Sequence, residues 1–450
     1  MKNVKRIVES KKRKVISGKL IVKKISEFKA KRKQSIFSFS LRTFHLKKVF
    51  IFSFSLFIVH SVNGQELDTY IQEALENNPE IQKFELQYNI ASEKVNEVNT
   101  LPNTEISVGY FVSEPETRTG AQRFKVSAKQ MLPWFGNITA RENYISSLAD
   151  AKYEDIVIAK RKLLASVSQS YYNLYANKAK QHVLIENIEL LETYEQLALT
   201  SVEVGKASAV DVLRLQMRQN EMRQLLLVLK QQFLAEQTTF NKLLNRDKTI
   251  EVYVIDALMI PSKDLESDIE NLALHPELLK YDKLYQSVEK SELLNQKESS
   301  PMIGFGLDYI NVEKRPDMSF NDNGKDIIMP MVSLSIPIFN RKYKSQTKQN
   351  ELQQQEITAQ KQQRLNTLET LLDKAINDKI SARISYTTQA KNLKQAKDAE
   401  EILIKSYETG TIDFNDVLDI QELQLKFQIN QIESVKTYYL QNTIINYLTK

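Results

Sequence analysis

From Asn137 to Val204 the chain runs without a Gly or a Pro, and it does so again from Arg341 to Thr409. With no helix breaker inside it, each run is predicted to be one α-helix, about 100 Å long at a rise of ~1.5 Å per residue. Gly205 and Gly410 end the runs, and six residues beyond each stands Asp-Val-Leu: Asp211-Val212-Leu213 and Asp416-Val417-Leu418. A Gly at that place is the left-handed stop of one helix and the start of a reversal into the next. Two long hairpins follow, with return helices from about Ser208 to Asn245 and from Phe414 to Leu448. Leu164, Val167, Tyr171 and Leu174, then Leu184, Ile188 and Leu191, and in the second run Leu365, Leu368, Leu372 and Ala375 fall at the spacing of a coiled-coil seam.

Each long helix is preceded by the same succession of patterns. Leu67 to Val98 reads as helix, interrupted by Asn78-Pro79-Glu80, where a Pro in a first turn restarts it. Period-two alternation marks strands at about 104–112 and 122–132, separated by a polar loop and closed by Pro133-Trp134-Phe135-Gly136. A connector spans 251–272, with Val252–Ile255 as a short strand. His275-Pro276-Glu277 then echoes Asn78-Pro79-Glu80; strands return at about 302–310 and 326–337, and Pro337-Ile338-Phe339-Asn340 stands where the first Pro-Trp-Phe-Gly stood. The chain is an internal duplication: a first repeat over 65–250 with its hairpin tip at about 205–211, and a second over 273–450 with its tip at about 410–416. The class is α+β, two tandem repeats of helix, strand, strand and long helical hairpin.

Charge and cysteine content narrow the function. Residues 1–48 hold 17 Lys and Arg against two acidic residues, which leaves 45 against 54, a net −9, in the rest of the 450-residue chain. The basic character belongs to the leader, so no nucleic-acid partner is expected. After Lys47-Lys48, the apolar run Val49–Val59 and the small residues before Gln65 form a secretory signal with cleavage near Gly64 or Gln65. Residues 1–64 are thus a basic extension plus signal peptide, removed or disordered. Cysteine is absent, which excludes disulfides, thiolate metal sites and a lipidated cysteine. His45, His60, His182 and His275 are scattered, and no phosphate loop or activated nucleophile can be found. No catalytic residue, cofactor or metal is expected; the protein is not read as an enzyme.

Strands of this length match tilted strands crossing an outer membrane. Four of them cannot close a barrel, and an open edge in hydrocarbon leaves backbone groups unpaired at several kcal/mol each, so protomers must share one barrel. The duplicated order, the Pro residues between strand and helix, and the paired Gly-x5-Asp-Val-Leu reversals resemble the TolC family of outer-membrane efflux channel proteins over essentially all of 66–450. The resemblance implies a homotrimer with a 12-stranded membrane β-barrel and a periplasmic α-barrel. Placed in the outer membrane with most of the chain in the periplasm, it would contact outer-membrane lipid. It would export small molecules, metal ions or proteins in a tripartite efflux or type I secretion system, together with a periplasmic adaptor (membrane fusion) protein and an inner-membrane transporter.

The same resemblance places the gate at the hairpin tips. Tyr407 takes the position of a gating tyrosine, Asp211 that of the aspartate bonded to it, and Asp416 and Asp419 match the aspartate rings at the entrance. Gly205, Ser208, Val212, Leu213, Gly410, Thr411, Val417 and Leu418 form the tips where the adaptor docks. The chain departs from the pattern at Ile412, where the best-known member has an arginine. The spacing alone offers another account: Ser208-x-x-Asp211 and Asp413-x-x-Asp416 are capping boxes, which explains Asp211 and Asp416 without a gate. It does not explain Asp419, one turn further along, where a second carboxylate adds like-charge repulsion. Trp134, Phe135 and Phe339 stand at the strand-to-helix junctions as membrane-interface aromatics, a core position being the competing reading for Trp134. The alternative for the whole chain is a periplasmic coiled-coil adaptor or structural protein without a membrane barrel.

Overall fold

The structure, a computed structural model, describes residues 65–205, 208–263 and 269–450. The basic extension and signal expected over 1–64 lie outside the described residues. Two short helices, α1 (Gln65–Asn77) and α2 (Pro79–Val98), lead into β1 (Glu105–Tyr110), the two-residue β2 (Glu116–Thr117) and β3 (Gly120–Leu132). The first hairpin follows as α3 (Asn137–Glu203) and α4 (Ala209–Leu243). After a short 3-10 helix at Ile269–Leu274, the succession repeats with α5 (Pro276–Glu298), β4 (Met302–Val312), β5 (Ile327–Ser335), α6 (Arg341–Glu408) and α7 (Phe414–Thr449). The helices α3 and α6 contain 67 and 68 residues, so each is about 100 Å long.

The turns between α1 and α2 and before α5 are set by matched caps. Asn78 accepts the Glu80 N–H at 2.8 Å, and His275 Nδ1 accepts the Glu277 N–H at 3.3 Å, each with Pro as the first helical residue. Pro fits there because its missing N–H would have had no intrahelical partner.

The strands of both repeats form one antiparallel sheet in the order β1-β3-β4-β5, with β2 paired to β3 on the side. Rows run straight across it: Val108, Val126, Tyr309 and Ile328 are cross-strand partners, as are Ile106, Ala128, Leu307 and Pro330. The intervening rows, Glu105, Lys129, Gly306 and Met331, then Ser107, Ser127, Asp308 and Met329, point to the other side. One face is therefore apolar, with Ile106, Val108, Leu307 and Ile328 exposed on it. The other is mixed and polar, and holds an ion pair between Lys125 and the fully buried Asp308. At the two ends of the sheet, β1 and β5 have no further strand partner among the described residues.

Two readings of the sequence are corrected. Leu164 is 38% exposed, and Leu163 takes its place in the core with Val167, Tyr171 and Leu174. The packed face of α3 there is one residue out of phase with the coiled-coil seam, because α1 and α2 as well as α4 pack on it. Val252–Ile255 is not a strand. Val252 and Val254 are buried, as alternation would have them, but their backbone is met by side chains instead of a second strand. The N–H groups of Tyr253, Ile255 and Leu258 donate to the hydroxyls of Tyr70, Tyr171 and Tyr175, each at 3.1 Å, and Tyr439 donates to the Met259 carbonyl at 2.9 Å. An extended segment with its backbone groups satisfied in this way needs no sheet.

Candidate functional site: the two hairpin tips

At the first tip, Gly205 has φ 71° and its N–H donates to the Val202 carbonyl at 3.0 Å. A Cβ here would meet open space, so only the left-handed backbone asks for Gly. Ser208 caps α4 with extended backbone: its hydroxyl accepts from the Val210 N–H at 3.2 Å, and Asp211 Oδ2 accepts from the Ser208 N–H at 3.3 Å. Asp211 is buried by this arrangement, and Arg214 stands 3.9 Å from its other oxygen. The capping box expected from the sequence is present here.

The second tip reverses in the same way and is capped differently. Gly410, with φ 75°, donates to the Tyr407 carbonyl at 2.9 Å, and both the N–H and the hydroxyl of Thr411 bond the Ser406 carbonyl, at 3.0 and 2.8 Å. Asp413 occupies the N-cap with extended backbone, yet its side chain makes no cap bond. The expected Asp413–Asp416 capping box is thus absent, and capping does not account for Asp416. Asp416 and Asp419 are exposed, one turn apart on the side of α7 away from Phe414 and Val417, and neither makes an ion pair among the described residues. The Asp-Val-Leu motif sorts its three residues by direction. Val212 and Val417 turn into the core and cannot present a docking surface in this conformation, whereas Leu213 is 58% exposed and Leu418 half-buried. Gly205, Ser208, Gly410 and Thr411 are exposed.

Tyr407 does not bond Asp211. Its ring packs against Phe414 at 4.8 Å, and its hydroxyl is buried with no hydrogen-bond partner among the described residues. Tyr194 packs on the same Phe414 at 5.9 Å and donates to Glu400 Oε1 at 2.7 Å, from the first hairpin to the second. Further bonds join the tips: Arg214 to Asn415, and Arg218 to Glu422 at 3.5 Å. Sequence reasoning missed these links. Taken singly, Tyr194, Arg214 and Arg218 look like ordinary polar positions on helices, and the only signal for them is a duplication that places equivalent turns side by side.

At the strand-to-helix junctions Trp134 is 39% exposed, Phe135 83% and Phe339 91%. The core position for Trp134 is ruled out in the single chain. Among the described residues no cluster of His, Asp and Glu is placed to hold a metal, and no helix is long and apolar enough to cross a membrane.

Residues 70–246 match the family described as "Outer membrane efflux protein". The fold is similar to that of solved CusC, at a TM-score of 0.71 and 15% identity, covering 86% of this chain and 92% of that one. CusC is described there in connection with transmembrane channel formation. The outer-membrane channel OprN gives a TM-score of 0.71 at 14% identity, with 86% and 90% covered. The outer membrane protein VceC from Vibrio cholerae gives 0.66 at 15%, with 86% and 96% covered. No curated relative matches the sequence. The resemblance to the TolC family and the α+β class expected from the sequence are borne out.

Proposed function

From a chain that carries the outer membrane efflux protein pattern in its first repeat and the fold of outer-membrane channels along its described length, we propose a passive duct of a tripartite efflux or type I secretion system. Three copies share one 12-stranded barrel in the outer membrane, and their hairpins extend into the periplasm as a hollow cylinder. The observation that carries this is the sheet: apolar on one face, polar on the other, and open at both β1 and β5. An open sheet with an exposed apolar face is stable in a membrane only when its edges are closed by other copies. The apolar face then meets lipid, and Lys125, Lys129 and Glu105 line water.

In this reading the hairpin tips are the periplasmic entrance. Asp416 and Asp419 narrow it and attract cations, and the exposed Leu213, Thr411 and Ser208 meet a periplasmic adaptor that links the duct to an inner-membrane transporter. Small molecules, metal ions and proteins are all possible cargoes for such a duct. The experiment is conductance of the purified full-length protein in planar bilayers, with cross-linking to count copies. Stable pores from a trimer are expected; an absence of pores would sink the proposal and favour a periplasmic coiled-coil protein.

A further inference from the structure

Where β3 passes into α3, a cavity of about 370 Å³ is lined by Leu101, Leu132, Trp134, Ile138, Ile303 and Phe305. That is the size of a small-ligand site, but its walls are almost wholly carbon, with no buried polar side chain to orient a polar ligand. Leu132 and Ile303 are cross-strand partners, and Phe305 lies two residues further along the same side of β4, so the cavity opens from the apolar face of the sheet. Trp134 and Phe135 stand at its mouth edge to face, with centroids 5.8 Å apart.

The rim carries a charge. Gly136 occupies the N-cap before α3, and a Cβ placed on it would lie 3.7 Å from Cε and 3.8 Å from Nζ of Lys297. Lys297 is exposed and makes no ion pair among the described residues, while the neighbouring Glu298 is held by Arg141 at 3.3 Å. A free ammonium thus sits beside an apolar slot, at the end of the sheet where the helices begin. The equivalent junction in the second repeat leaves Ile338 80% exposed, with Asn340 in place of Gly136.

We propose that this slot holds one acyl chain of an anionic phospholipid, whose headgroup is met by Lys297. Apolar walls continuous with the lipid-facing side of the sheet select a hydrocarbon chain, and the lone cation at the rim selects negative charge. The inference rests on the membrane reading proposed above.

Trp134 is the only tryptophan in the chain, so its fluorescence reports on the mouth of this slot alone. The full-length protein is reconstituted in phosphatidylethanolamine vesicles carrying a minor fraction of either brominated phosphatidylglycerol or brominated phosphatidylethanolamine, and quenching is compared. Several-fold stronger quenching by the anionic lipid is expected, and Lys297→Glu should remove the difference while single-channel conductance stays unchanged. Equal quenching by the two lipids would mean an aromatic residue in bulk interface and would overturn the proposal. So would a preference that survives Lys297→Glu, or no quenching from protein that conducts, which would mean that a neighbouring copy fills the slot. An absence of pores would remove the membrane reading and this inference together, whereas conducting protein without selective quenching removes only this one.

Discussion

The hydroxyl of Tyr194, near the end of the first long helix, donates to Glu400 Oε1, near the end of the second, at 2.7 Å. Burial, and then the carboxylate itself, hold this phenol above its ordinary pKa, so it remains a donor across the physiological range. With both aromatic rings of Tyr194 and Tyr407 on Phe414, the bond ties the two hairpins together just above their tips. Tyr194→Phe keeps the ring contact and removes the bond. It should lower stability by about 1.5–3 kcal/mol, the range of a hydrogen bond to a charged group, read as a lower midpoint of helix melting.

The two tips should answer differently to loss of the capping residue. Ser208→Ala removes a hydroxyl that accepts from the Val210 N–H, and should cost about 1 kcal/mol and speed amide exchange in the first turn of α4. Asp413→Ala removes a side chain that makes no cap bond, and exchange in the first turn of α7 should change little. Equal effects at the two positions would mean that Asp413 does cap its helix.

If Asp416 and Asp419 line the entrance, reversing both to Lys should lower single-channel conductance and shift the pore from cation towards anion preference. Both side chains are exposed, so stability should move by less than about 0.5 kcal/mol each. Unchanged conductance and ion preference would remove the entrance role.

His275 is almost wholly buried, and burial pushes its pKa down to about 4; Arg161 and Arg364 act in the same direction, and the Glu277 carboxylate opposes them. The folded protein therefore keeps this imidazole neutral where the unfolded chain, near 6.5, takes up a proton. Stability from His275 is complete above about pH 6.5 and is lost as the pH falls towards 4, by on the order of 1–3 kcal/mol. His275→Asn, the residue that caps α2 at the matching position, should flatten the melting temperature across that window.

Tyr171→Phe and Tyr175→Phe should loosen the connector without disturbing the packed rings. Each removes the acceptor for a part-buried backbone N–H, of Ile255 and Leu258, which costs about 1–3 kcal/mol when left unmade. Faster hydrogen exchange confined to 252–259 is the expected result. An unchanged exchange pattern would show that another group takes over.

The long helices, the Gly205 and Gly410 reversals, the Pro79 and Pro276 restarts and the period-two strands were all legible in the sequence, because each is decided within one turn or one pleat of the chain. The match between Asn78 and His275 was visible only as part of a repeat; that both cap a helix emerged with the coordinates. Leu163 rather than Leu164 is inside, because the phase of a helix face depends on how many neighbours cover it. Val252 and Val254 alternated as a strand does, yet the N–H groups of the residues that follow them, Tyr253 and Ile255, bond tyrosine hydroxyls up to 183 residues away.

The sequence by itself determined a duplicated chain of two long hairpins, each preceded by two strands, since helix breakers and side-chain periodicity act locally. Only the tertiary structure decided that β3 and β4 join the repeats into one sheet, that of the two expected capping boxes the one at Asp211 forms and the one at Asp416 does not, and that Tyr407 lies against Phe414 instead of bonding Asp211. The first depends on which strands, from opposite repeats, come within hydrogen-bonding distance of one another, and the others on which of several short-range bonds the packing at each tip allows; no local pattern records either.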